Sequence, residues 1–113
     1  MDPRVELVPG TLDMLVMKAV EAEPKHGFGV ARWIEGVTGD RLTVEEGALY
    51  PALHRMERRG WLRSEWRVTE NGRRARYYRL MRAGAEELGR QVARWEGSAW
   101  AIRRVLEAEE AQG

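Results

Sequence analysis

The sequence predicts a mainly α chain with one small β-hairpin: a winged helix-turn-helix followed by a long C-terminal helix. Three stretches carry that prediction. In EEGALYPALHRMERRGWL, residues 45–62, Leu49, Leu53 and Met56 share one face at helical spacing, while Tyr50, His54 and Glu57 fall on the adjacent face and Gly60 stops the helix. In RVTENGRRARYYRL, residues 67–80, Asn71-Gly72 is the favoured pair for a two-residue turn with φ > 0 at both central positions, and Arg67, Arg73, Arg74, Arg76 and Arg79 surround it. From about Arg82 to Glu107, the residues Leu88, Val92, Trp95, Ala99, Ile102 and Leu106 step by 4, 3, 4, 3 and 4, an a/d seam of nearly three heptads.

Taken in order, residues 1–10 read as an irregular arm punctuated by Pro9-Gly10, with Thr11 as the N-cap of a first helix. Leu12, Leu15, Val16, Ala19 and Val20 give that helix its apolar stripe, Asp13 suits its first turn, and it ends before Pro24. A second helix spans Gly27 to Val37, with Lys25 and His26 at its N-terminus, a natural place to meet a phosphate. Thr43-Val44-Glu45-Glu46 matches a capping box for the third helix. Pro51 complicates that start, because it removes the hydrogen bond to the carbonyl four residues back, here that of Gly47. Either the helix bends at Pro51, or it begins near Gly47. The run from Trp61 to Val68 has a strand period, Ala75 to Leu80 returns, and Tyr77 and Tyr78 fall on opposite faces, one toward the helices and one near the wing surface. The last helix, about 25 residues, rises roughly 38 Å, more than the rest of so small a domain needs to cover. Its seam is expected to pair with the same helix of a second subunit, the alternative being a helix folded back on the first. The polar tail Glu107 to Gly113 is expected to fray. Residues 1–80 would form the winged helix-turn-helix domain, and residues 81–113 the dimerisation helix and tail.

Charge is segregated. Residues 1–53 carry 5 basic and 9 acidic side chains, residues 54–82 carry 10 and 3, and residues 83–113 carry 4 and 6, giving nets of −4, +7 and −2 within a total of +1. The positive field belongs to the helix-hairpin segment alone, and all ten of its cations are arginines, whose planar fork suits phosphate oxygens and guanine edges. Double-stranded DNA is the partner this field fits, against the alternative of an ordinary solvated charged face.

With these stretches assembled, the chain resembles a PadR-family transcriptional regulator of the short type with a single C-terminal helix. PGTLDMLVMKAVE (Pro9 to Glu21), HGFGVARWI (His26 to Ile34), EEGALYPALHRMERRGWL (Glu45 to Leu62) and GRRARYYRL (Gly72 to Leu80) carry the resemblance, in the family's order and spacing. It implies a homodimeric repressor whose interface is built from the first and last helices, here Leu12, Leu15, Leu88, Val92, Trp95, Ala99, Ile102 and Leu106. The third helix of each subunit would enter a major groove, with wings on the flanking backbone or minor groove and an inverted-repeat operator. Carried over residue by residue, Gly47 would allow close backbone approach beside Pro51, Tyr50 and His54 would contact base edges or phosphates, and Arg73, Arg74 and Arg76 would hold phosphates. Lys25 and His26 would clamp the backbone. Arg55 and Arg58 either face solvent or pair with Glu57 or a neighbouring helix. Some relatives bind flat aromatic compounds between the last helices. Trp95 and Trp100 are the candidates by position for such an effector, although an aromatic on a seam is more often plain core. The chain departs from the family at Phe28, where Tyr is common, and at Met81, where Thr commonly caps the last helix.

Other classes find little support. An enzyme would want a nucleophile beside a base, a phosphate-cradling glycine loop, or carboxylates spaced near a histidine. Without cysteine there is no disulfide or thiolate site, and His26 and His54 make a poor metal set, so neither metal nor cofactor is expected. A two-stranded wing is too small a platform for RNA. The absence of a signal-peptide pattern and of any long apolar run makes the cytoplasm the expected compartment, with no membrane partner. The alternative from a different class is a winged-helix adaptor that binds protein without DNA, which steep salt dependence would distinguish.

Overall fold

A computed structural model of the chain describes residues 4–110. Its elements run α1 (Leu12–Ala19), β1 (Lys25–His26), α2 (Gly27–Val37), α3 (Glu46–Arg58), β2 (Leu62–Val68), β3 (Arg74–Leu80) and α4 (Arg82–Glu107). The first three residues of the arm and residues 111–113 of the tail, whose fraying was expected, lie outside the described residues; residues 108–110 follow α4 without regular structure.

The bounds of α2 and α4 agree with the spans expected from sequence. Elsewhere local chemistry differs from the sequence reading. Thr11 flanks α1 without capping its amides; its hydroxyl donates to the Val8 carbonyl at 2.6 Å, folding the arm back on itself. Helix α1 does end before Pro24, as expected, stopping at Ala19 where the Val20 and Glu21 amides turn back to Met17 and Lys18 three residues behind and tighten the last turn. The capping box at Thr43 does not form. Helix α3 starts at Glu46, with Glu45 as its cap, and the Val44 amide donates to the Glu35 carboxylate at 3.1 Å. This is close to the second of the two starts considered, and Pro51 lies in the second turn.

The hairpin also differs. Thr69 donates its amide to the Arg73 carbonyl at 2.6 Å, and Gly72 donates to the Thr69 carbonyl at 2.9 Å. That makes Glu70-Asn71-Gly72 a three-residue loop in which Gly72 alone has positive φ, 78°, so Asn71 is spared the left-handed conformation that a two-residue turn would demand. The single hairpin becomes a three-stranded antiparallel sheet of order β1-β3-β2, in which Lys25 and His26 pair with Tyr78 and Tyr77.

One core joins these elements. Val16, Met17 and Val20 meet Val30 and Ile34 of α2 and Leu49, Leu53 and Met56 of α3. Leu62 and Tyr78 close it from the sheet, so Tyr78 is the tyrosine that packs inward, and burial pushes its phenol above the ordinary range. Asp13 of α1 and Arg55 of α3 form an ion pair at 2.5 Å across these helices, which settles Arg55 as a partner of a neighbouring helix. Helix α4 begins without a side-chain cap at Met81, whose carbonyl takes the Ala85 amide at 2.9 Å. Its first half packs along α1, where Leu88 is buried and Val92 is half-buried against the core. Its second half leaves the fold with Trp95, Ile102 and Leu106 exposed, and the molecule's longest dimension reaches 69 Å.

Candidate nucleic-acid interface

Two surfaces carry the residues singled out from sequence. The first is the exposed side of α3. Gly47, Tyr50, Pro51 and His54 all lie on it, spaced so that they face outward while Leu49, Leu53 and Met56 face the core. Space in front of Gly47 is open, so a partner's backbone can approach the helix there. Arg58 is exposed at its end.

The second is a cleft of about 720 Å³ between the N-terminus of α2, Tyr50 and the wing. It brings together His26, Tyr50, Arg73, Arg74 and Arg76, residues up to 50 positions apart in the chain. The fold builds it by ending β1 directly at the start of α2. The His26 Nδ1 accepts the Gly29 amide at 2.9 Å as the helix cap, which leaves the ring proton on Nε2 for an outside acceptor. The His26 ring also meets Tyr77 edge-on at 5.2 Å and stacks with Phe28 at 6.3 Å. Phe28, exposed, carries the Arg32 guanidinium over its face at 6.0 Å.

The arginines are not equivalent. Arg73 is exposed at the loop, with no ion pair among the described residues. Arg76 is drawn inward: its Nε donates to the Ser64 hydroxyl at 2.7 Å, that hydroxyl donates to Glu57 at 2.6 Å, and the guanidinium lies 3.7 Å from the same carboxylate. This chain ties the base of the wing to α3. Lys25 does not line the cleft; its ammonium donates to the Ala19 carbonyl at 2.5 Å and lies 5.5 Å from the Trp33 ring. On the other face of the wing, Arg67 hydrogen-bonds Glu65 and holds its carboxyl below the usual range, with Arg79 and Arg63 adding to the field. Arg32, Phe28 and Trp66 were not singled out from sequence as functional. Phe28 was noted there only as a departure from the family, and Arg32 and Trp66 not at all.

Gly27 explains the seat of Tyr50. A Cβ at Gly27 would fall 2.6 Å from the Tyr50 ring, so the ring rests on bare backbone. Gly27→Ala should therefore displace Tyr50 while costing stability little, about 1 kcal/mol, since the half-exposed ring can swing away. The check is a thermal melt beside the tyrosine NMR signals; an unmoved Tyr50 would contradict the packing.

The a/d residues divide. Leu88 and Val92 serve the protein's own core, Ala99 is half-exposed, and Trp95, Ile102 and Leu106 are open. Trp95 also walls an apolar cleft of about 560 Å³ with Leu15, Met14, Val8 and Leu42. Trp100 lies away from that cleft, with Arg104 at 5.8 Å from its ring. Among the described residues no helix is long and apolar enough to cross a membrane, and no group of three or more histidines, aspartates or glutamates is placed to hold a metal ion.

Three helices closed by a three-stranded sheet, with an exposed third helix and an arginine-bearing hairpin beside it, define a winged helix-turn-helix protein. Comparison with known proteins narrows the class. The chain belongs to the Transcriptional regulator PadR-like family, whose model matches residues 16–90. Solved relatives include a PadR family transcriptional regulator from Eggerthella lenta, 29% identical with TM-score 0.74 over 88% of this chain and 85% of that one. A PadR-like transcription factor from Bacteroides fragilis is 28% identical, with TM-score 0.69 over 85% and 90%. A transcriptional regulator from Clostridium thermocellum shares the fold at TM-score 0.77 and 23% identity over 84% and 92%. The protein is thus a transcriptional regulator of a DNA-binding family, and that family is not one of enzymes.

Proposed function

We propose that the protein is a homodimeric repressor that reads an inverted repeat. The observation that carries this is the placement of Arg73, Arg74 and His26 around one cleft beside the exposed face of α3. Gly47, Tyr50, Pro51 and His54 enter the major groove, Gly47 allowing the helix backbone to come close and Tyr50 and His54 touching base edges or phosphates. His26 offers its Nε2 proton to a phosphate, where the start of α2 adds its own positive end. Lys25, its ammonium held by the Ala19 carbonyl, lies outside that cleft. Arg73 and Arg74 grip the flanking backbone, and Arg76 joins them from its tether on Ser64. The open half of α4, with Leu12 and Leu15 of α1 at its foot, pairs with a second copy, setting two α3 helices about one DNA turn apart. The residues divide into a DNA-binding unit over 1–80 and a dimerising unit over 81–113. An aromatic effector that entered the cleft beside Trp95 would sit against this pairing surface.

The test is selection of sequences from a randomised duplex pool, followed by titration of the best duplex at two salt concentrations. Wild type should recover an inverted repeat and weaken steeply with salt. The Arg73→Ala/Arg74→Ala variant should bind more weakly, with a log–log salt slope shallower by roughly 2, one unit for each phosphate left without its arginine. An affinity indifferent to salt, or no enriched sequence, would instead favour a protein-binding adaptor.

A further inference from the structure

Trp66 is out of place for a structural tryptophan. It is 57% exposed, lies outside the core, and stands near the end of the wing. Its register explains what surrounds it. Trp66 pairs directly across the strand with Arg76, and Arg74 lies two residues further along β3, so all three side chains rise from one face of the sheet. The Arg74 and Arg76 guanidinia lie 5.1 and 5.7 Å from the indole centroid, within range of attraction to its π face.

The sheet order gives this cluster a direction. β2 lies on the far side of β3 from β1, so Trp66 stands behind the two arginines as seen from the cleft. Arg74 and Arg76 line that cleft with Tyr50 and His26, and Trp66 does not. Arg76 has a second anchor in Ser64 and Glu57. Arg74 has no hydrogen-bonded or charged partner among the described residues, so the indole is what orients it. A free arginine on a wing samples many rotamers, and each phosphate contact must first offset the entropy of choosing one.

We infer that Trp66 is a positioning residue for DNA binding: its indole is a backing plate that holds Arg74, and to a lesser degree Arg76, over the cleft where the nucleic-acid backbone runs. This rests on the DNA-binding reading above. Trp66 acts through the arginines and does not itself touch the duplex.

The experiment is a mutant cycle on the duplex selected by wild type, with affinities measured across a salt series. Trp66→Ala should weaken binding roughly tenfold, and Trp66→Phe, which keeps a smaller π face, about threefold. The Trp66→Ala slope against salt should also become shallower although no formal charge has changed, because loosely held arginines displace fewer counterions. In an Arg74→Ala/Arg76→Ala background, Trp66→Ala should have no further effect. Circular dichroism and urea midpoints check the fold; if Trp66→Ala fails to fold, the same comparison is made with Trp66→Phe in both backgrounds. Wild-type affinity in the tryptophan variants, or an equal loss in both backgrounds, overturns the inference while DNA binding stands. A wild-type protein that binds no duplex removes the DNA-binding reading itself, and this inference with it.

Discussion

Gly84→Ala should destabilise the protein by about 3 kcal/mol, seen as a lowered urea midpoint with an unchanged slope. The sign is the informative part. In a helix interior, alanine normally gains on glycine by about 1 kcal/mol, through backbone entropy. Here Gly84 is buried in the first turn of α4, and a Cβ would lie 2.1 Å from the Trp61 carbonyl oxygen and 2.7 Å from the Leu80 side chain. The Leu80 end could rotate. The carbonyl cannot, because it is backbone and already accepts the Met81 amide at 2.9 Å. Relief requires α4 to lift from the joint between α3 and β2, and the burial of Leu88 one turn later would suffer with it. Gly89→Ala supplies the control: nothing lies within 4 Å of its Cβ, so it should gain up to about 1 kcal/mol. Equal behaviour of the two variants would mean that α4 does not seat on Trp61 as described.

Ile102→Asp/Leu106→Asp should leave the subunit folded and make it monomeric at micromolar concentration. Within one chain these side chains are 60% and 79% exposed, so their loss removes little from its own core. In a pair of chains, four large aliphatic groups would leave the seam. At about 1.5–3 kcal/mol for each buried side chain, the dissociation constant should rise by more than about a thousandfold, before counting the cost of burying carboxylates. Sedimentation and the unfolding midpoint separate the effects. A dimer that survives would place the interface elsewhere, and an unfolded monomer would show that the seam serves the single subunit.

Legibility in the sequence followed the range of the forces involved. Helix α2 was readable because its span from Gly27 to Val37 and the residues at its start lie within a few positions of one another. The a/d steps of α4 were equally local, although they did not reveal that Leu88 and Val92 would be taken by α1. Strand β1 was invisible because two residues, Lys25 and His26, cannot display a period; their extended form comes from pairing with Tyr78 and Tyr77. Thr43 offered a match in letters to a capping box, yet the acceptor for the Val44 amide is Glu35, on another helix. Asn71-Gly72 marked the turn correctly and its type wrongly, since the Thr69 pairing with Arg73 decides the loop length. At the candidate interface, residue types were legible and their tethers were not. Nothing local in the sequence ties Lys25 to Ala19 or Arg76 to Ser64.

The short strand β1 also constrains the order in which the protein can assemble. The β2–β3 hairpin closes a loop of a few residues and can form within microseconds, as can the separate helices. Pairing of His26 with Tyr77 instead closes a span of about fifty residues, at an entropy cost that the hairpin alone cannot repay. It is expected to follow the collapse of α1, α2 and α3 around Leu53 and Met56, which brings the two ends together. Because Leu80 ends the third strand, a chain emerging from the ribosome can complete α1 to α3 while its sheet is still unfinished. The wing then docks against the start of α2 in the step that completes the sheet.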